Sequence, residues 1–490
     1  MPRRLRFPRH VLAVSPDASL SAAERFALDV LIDLSTVLRL EGTGDVVQLR
    51  VVDGNTSDGA AAGLRARGWG LTPADGVVNI ERALLRFVID VAGAEDEQRS
   101  TAADRFQRVP AWETRVVRES VEREPVVSLA AVALAHAVRG AAGRRPVRLV
   151  EPWPRGRQWA AALTHDLDVV EWWPAFTLLR LAELARNGEL ARAGRVTVTA
   201  LASATRPVVW SAVRELLEIE ASHRIRSSWF VLCGRPTFAT VRAGDLTYRL
   251  DSAAARRILH AVREGGHEIG LHGSFRTSEQ HSLFVEQREL LREIAAVDPI
   301  GVRQHYLRMR AATTPRGMHA AGFAYDSTYG FADRNGFRLG VADVIPLWDA
   351  ERQAPVGIDE APFTWMDRAL SKYQHVEAPG IWIDDALALA DRCHDVGGLW
   401  VGIWHPNLAP ALGFPDAPAA YARLARELVA RGAYVAPLGE LVAWRRARRA
   451  LRAVEVTSEG HVRLAPNASD APKFVLRRGD GRADDAIVRG

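Results

Sequence analysis

From about residue 160 to residue 449, short apolar runs alternate with amphipathic stretches of helical length, and no other feature of the chain narrows its fold so far. AALTHDLD, SSWFVL, HEIGLH, VRQHYLRM, FAYDST, IDEAPF, GLWVGIWH and YVAP read as strands. AAARRILHAVRE, the stretch around Phe284, Gln287, Leu291 and Ile294, IDDALALADRCH, AYARLARELVARG and LGELVAWRRARRALR read as helices. The spacing predicts an α/β fold with a parallel sheet, plausibly closed as a (β/α) barrel. In such barrels the chemistry gathers at the C-terminal ends of the strands. Asp166, Asp168, His272, Arg303, His305 and His405 all fall at or near the ends of separate apolar runs, which suggests convergence on one pocket. Asp166 and Asp168 share a strand face, where two carboxylates repel unless a cation joins them. One would then be a ligand and the other a general base. Taken alone, the pair also reads as solvated loop acids or as a helix N-cap ahead of VVEWW.

With 490 residues the chain exceeds one ordinary core, so more than one domain is expected. Prolines and arginines between Gly143 and Trp159 mark a boundary. Residues 1–150 read as an N-terminal α/β accessory domain that opens with a capping box, Ser21 to Glu24. Residues 151–449 carry the barrel, and residues 450–490 read as a β appendage with a mobile tail. The formal charge of +5 arises almost wholly from Arg, with Lys only at Lys372 and Lys473, and it is scattered among acids. That distribution argues against a nucleic-acid partner. Cys233 and Cys393 sit in apolar runs and form no disulfide framework, which suits a reducing compartment. The basic N-terminus lacks an adequate apolar core for a signal peptide. Val126 to Val138, the longest apolar run, is interrupted by Ser128 and His136 and is too short for a membrane span, so a cytoplasmic location is expected.

THDLD, GHEIGLHGS, VRQHY, YDST and GIWHPN, in this order between Pro152 and Arg449, resemble the five motifs of the NodB-homology polysaccharide deacetylases, carbohydrate esterase family four. The resemblance implies a distorted, incomplete (β/α) barrel. It also implies one divalent metal, usually zinc, and removal of acetyl groups from an N-acetylated sugar or polysaccharide substrate. By the same resemblance Asp166 is the base, Asp168 and His272 bind metal, Arg303 orients the base and His405 is the general acid. The family's second metal-binding His comes four residues after the first, and that position is Arg276 here. His305, where the family commonly has Pro, is then a candidate compensating ligand.

His165, Ser274, Tyr306 and Trp404 are candidate substrate contacts, and Trp229, Trp348 and Trp404 read either as sugar platforms or as core. His267 falls on the strand face opposite His272 and reads as structural. Arg276 keeps open a degenerate relative that binds glycan or a partner without turnover. A metal-dependent hydrolase of another amide on the same barrel is a third reading.

Overall fold

The computed structural model describes residues 13–14, 20–37, 47–53, 68–143, 148–171, 175–186, 188–203, 208–234, 238, 248–451, 453–456, 462–464, 475–478 and 483–487. Its centre is a curled sheet of ten strands. Along the sheet the order is Ile345–Asp349, Ala354–Glu360, Tyr325–Asp326, Gly301–Gln304, Glu268–Gly273, Ser228–Cys233, Ala160–Leu167, Leu399–Ile403 and Trp365–Met366. The short strand Tyr434–Val435 joins the lower end of Ala160–Leu167. All pairings are parallel except that between the first two strands, and no pairing joins the two ends of the sheet among the described residues. The architecture is thus an incomplete (β/α) barrel, as the motif resemblance implies, and not the closed one that the alternation suggests.

Side-chain alternation sets what each strand offers to each side. In Ala160–Leu167, Ala160 and Ala162 belong to the inner cluster with Phe230, Tyr325, Val401 and Ile403. Ala161, Leu163 and Leu167 belong to the larger cluster formed with the surrounding helices. The helices follow local rules. Ala253–Glu264 starts at Ser252, whose hydroxyl accepts from the Ala255 N–H, so Ser252 and not the neighbouring Asp251 is the cap. It ends at Gly265, and Gly266 takes a φ of 71°, turning the chain directly into the His272 strand. The stretch from Ala193, whose sequence has little helical patterning, is helical as far as Ser203, within Leu190–Ser203. No helix among the described residues is long and apolar enough to cross a membrane.

Ahead of the barrel, a four-stranded mixed sheet runs in the order Ala13–Val14, Gln48–Val52, Val77–Glu81 and Leu71–Ala74. HVLAV, His10 to Val14, has the apolar character of a strand, and its last two residues are the ones described. The helices Ala22–Leu34 and Val126–Ala142 pack together beside this sheet, and the expected capping box at Ser21 and Glu24 is formed. Their apolar faces are continuous with the barrel's helical cluster, and the Phe26 ring lies 4.9 Å from that of Trp348. At the other end of the chain, Val475–Arg478 pairs antiparallel with Arg148–Val150 and with Ala483–Ile487. Part of the tail expected to be mobile, Ala483–Ile487, is therefore a strand, because Val475–Arg478, itself paired with the segment before the barrel, offers it an edge.

A buried ion pair ties the N-terminal region to the barrel. Both Glu97 oxygens accept from Arg338, at 2.8 Å from Nε and 2.6 Å from Nη2. Removing one member of such a pair strands the other charge away from water. Glu97→Ala is therefore expected to cost about 3–5 kcal/mol, read as a lower denaturant midpoint at unchanged slope. A loss below about 1 kcal/mol would mean that the pair behaves as a solvated surface bridge.

Candidate active site

The parallel strands deliver their C-terminal residues to one mouth of the barrel, where a cleft of about 170 Å³ is lined by Asp166, Asp168, His272, His305 and His405, among others. Asp166 reaches it because it occupies an inward position of its strand, two residues after Thr164. Its Oδ1 accepts from Arg303 Nη1 at 2.8 Å. Arg303 is itself fully buried: Nη1 also donates to Thr164 Oγ1, Nε to the Ser327 carbonyl and Nη2 to Ser327 Oγ, each at 2.9 Å. Its guanidinium carbon lies 4.2 Å from the centre of the Phe230 ring. Burial by itself would raise the Asp166 carboxyl, but Arg303, with His272 and His405, holds it below its ordinary value.

Behind this guanidinium, Asp326 and Glu360 form a second buried acid pair. Burial pushes Asp326 up to about 6, and burial with the neighbouring Asp326 charge raises Glu360 well above its usual range. A protonated Glu360 donating to Asp326 leaves a single negative charge to accompany Arg303.

Asp168, His272 and His305 bring one ligand atom each to within 4.8 Å of one another. Asp168 Oδ1 is 3.4 Å from His272 Nε2 and 3.3 Å from His305 Nδ1. That carboxylate oxygen is buried and accepts no hydrogen bond among the described residues. His272 Nδ1 donates to the Arg303 carbonyl at 3.0 Å, which leaves Nε2 as an acceptor, 3.1 Å from His305 Nδ1. A carboxylate oxygen without a donor, facing two ring nitrogens, is the donor set of a divalent metal with an open position. These residues fit the metal that the sequence motifs imply.

His305 reaches the group because its strand stops at Gln304, five residues before the end of the run VRQHYLRM. His305–Leu307 is a single 3-10 turn, with Tyr306 and Leu307 at φ values of 59° and 55°. Left-handed backbone at two bulky residues is costly and persists only where neighbours impose it. Here the N-terminal region does so. The Phe106 ring stacks on Tyr306 at 4.7 Å, Arg108 Nη1 donates to the Tyr306 carbonyl at 3.0 Å, and both Arg108 and Tyr306 line the cleft. Arg276 is half-buried and lies outside the cleft lining.

His405 closes the opposite side. Its Nδ1 is 2.6 Å from Asp367 Oδ1, and its backbone N–H donates to Asp367 Oδ2 at the same distance. Its Nε2 faces the metal group, 4.0 Å from Asp168 Oδ2. Burial alone would lower the imidazole, but Asp367, then Asp168 and Asp166, raise it above its ordinary value. Asp367 was not among the residues singled out in the sequence. It stands directly after the short strand Trp365–Met366, so the strand-end rule that marked the others would have marked it too.

Several candidates lie elsewhere. His165 is one residue from Asp166 and therefore points to the other face of the strand. There Nδ1 donates to the Trp404 carbonyl at 2.8 Å, and Nε2 lies 3.0 Å from the fully buried Glu220. Tyr421 and Ser227 donate to the same carboxylate, and His267 accepts from the Ser227 N–H at 3.0 Å, the structural role expected of it. Ser274 is occupied by Gln287, whose Nε2 donates to its hydroxyl at 2.7 Å. Trp229, Trp348 and Trp404 are buried in the helical cluster and offer no platform to a sugar ring. Of the four candidate substrate contacts, Tyr306 alone lines the cleft.

In fold the chain is similar to polysaccharide deacetylases. A protein named as a polysaccharide deacetylase from Mycobacterium smegmatis is 22% identical, with 61% of this chain and 93% of that chain covered and a TM-score of 0.41. Another, from Pseudomonas aeruginosa PAO1, is 16% identical, with 62% and 96% covered and a TM-score of 0.40. A CE4 family pseudoenzyme from Bacillus anthracis is 11% identical, with 58% and 65% covered and a TM-score of 0.28. No protein-family model matches the chain. No curated protein matches it.

Proposed function

We propose that the chain is a metal-dependent hydrolase that removes acetyl groups from N-acetylated sugars or glycans. One observation carries the reading: a carboxylate pinned by a buried guanidinium and an imidazole pinned by a buried carboxylate share a cleft with three side chains able to hold a metal. Two imidazoles and a carboxylate suit zinc. When bound, such an ion supplies Lewis acidity to the acyl carbonyl and lowers the pKa of water beside it.

The proton transfers belong to the chain's own residues. Asp166 takes the proton of the attacking water at Oδ2, because Oδ1 is engaged by Arg303. Its depressed pKa keeps it ionised. His405 gives the proton on Nε2 to the departing nitrogen, while Nδ1 stays fixed on Asp367. The amide C–N bond breaks, acetate carries the water oxygen and the sugar leaves as its amine.

Metal content by elemental analysis, with acetate release from N-acetylated oligosaccharides, tests this reading. About one metal per chain together with release is the expected result. A protein that stays metal-free when offered zinc, cobalt, nickel or manganese would be a glycan- or partner-binding relative instead.

The pH profile follows from the two shifts. Turnover needs Asp166 ionised and His405 protonated. It is lost as pH falls through the depressed Asp166 pKa and as pH rises through the raised His405 pKa. Asp367→Asn removes the neighbour that contributes most to that rise. It is expected to move the alkaline limb of kcat to lower pH, and an unmoved limb would take His405 out of the acid role.

A further inference from the structure

One wall of the cleft is cationic beyond anything the proposed chemistry requires. Arg368 and Lys372 both line it, both half-buried, at the start and near the end of the π-helical turn Ala369–Tyr373. Like charges four residues apart on one turn repel each other, and π-turns recur at functional sites. Among the described residues neither cation has a carboxylate within ion-pair distance. Glu183, an acid whose field reaches both, is held by Arg180 at 2.6 Å. Arg108, the third cation of the lining, is already neutralised by Asp104 at 2.6 Å. The acids of the cleft, Asp166 and Asp168, face the base and metal positions, so a bound divalent ion would cancel them and leave Arg368 and Lys372 only the more distant Glu183, which Arg180 already pairs. Burial, then Arg368, pushes the Lys372 ammonium down to about 8, a cost that an anion between the two would relieve. The residue choice is also particular. Lys occurs at only two positions of this chain, and one of them is in this cleft.

We propose that Arg368 and Lys372 form an anion subsite, so that the substrate carries a phosphate or carboxylate as well as the acylated nitrogen. A guanidinium and an ammonium that line one cleft from one turn suit an oxyanion with several acceptor oxygens. This rests on the hydrolase reading for the reaction, but the subsite itself is read out by binding and needs no turnover.

The test is calorimetric binding of matched probes to the zinc-loaded protein at low salt: N-acetylglucosamine 1-phosphate, N-acetylmuramic acid and neutral N-acetylglucosamine. A charged probe is expected to bind about tenfold tighter or more than the neutral one, the scale of one charge-assisted hydrogen bond. Which charged probe gains distinguishes a phosphate from a carboxylate. The preference is expected to vanish in Arg368→Gln/Lys372→Gln, to survive in Lys372→Arg, which keeps the charge and the fold, and to survive in Asp168→Ala. Equal binding of charged and neutral probes by the wild type overturns the proposal. So does a preference that persists in the double variant, and one that disappears in Asp168→Ala, since the anion would then sit on the metal. Anion preference without acetate release from any acetylated substrate refutes the hydrolase reading and leaves the subsite standing.

Discussion

Asp166→Asn is expected to lower kcat by about 10²- to 10⁴-fold, the range of a lost general base, while the metal content stays at that of the wild type. The amide is isosteric with the carboxylate and can still accept the Arg303 hydrogen bond that Oδ1 accepts now at 2.8 Å. It cannot take a proton from water. The separation of the two readouts is the point of the experiment, because Asp166 Oδ2 lies 3.9 Å from His272 Nε2 and a structural role would disturb the metal as well. An Asp166→Asn protein that turns over like the wild type would remove Asp166 as the base. One that loses its metal would make it a ligand.

The second large effect belongs to the metal group. Asp168→Ala and His305→Ala are each expected to weaken metal binding by more than about 100-fold, since even partners one step removed from a metal cost ~10–100-fold. The two variants ask different questions. Asp168 and His272 stand where the motifs place ligands, whereas His305 stands in for the imidazole missing at Arg276. Retained stoichiometry in His305→Ala would show that the third ligand is not His305, and Arg276→His would then be the informative rescue. Loss in both, read by elemental analysis on folded protein, is the expected result.

The residues differ in how legible they were before the fold was known. The barrel could be read from the alternation because its strands are continuous apolar runs and its helices have clear apolar faces. Asp166, His272 and His405 could be read because each ends such a run. Of the two readings of His165, packing beside the strand and contact with substrate, the structure has the first: a strand reverses its face at every residue, so the neighbour of an inward Asp166 points outward to Glu220. Asp367 was passed over because its strand is only two residues long and shows no periodicity. Glu220 had no signal at all, since it lies in an ordinary helix and becomes a partner of His165 only through packing between Val208–Ser222 and the sheet. The link between the N-terminal region and the cleft was equally hidden, because it depends on a stacked pair, Phe106 and Tyr306, 200 residues apart.

That stacked pair also bears on what counts as the working unit of the protein. The motif-bearing segment begins near residue 152, yet the ring that braces the left-handed turn beside His305, and one cation of the cleft wall, come from Phe106 and Arg108. A barrel excised at its apparent boundary would keep every motif and still present a cleft open on one flank. Transplanting or shuffling the segment by its sequence resemblance would therefore move the chemistry without its frame; the transferable module begins well upstream of the first motif.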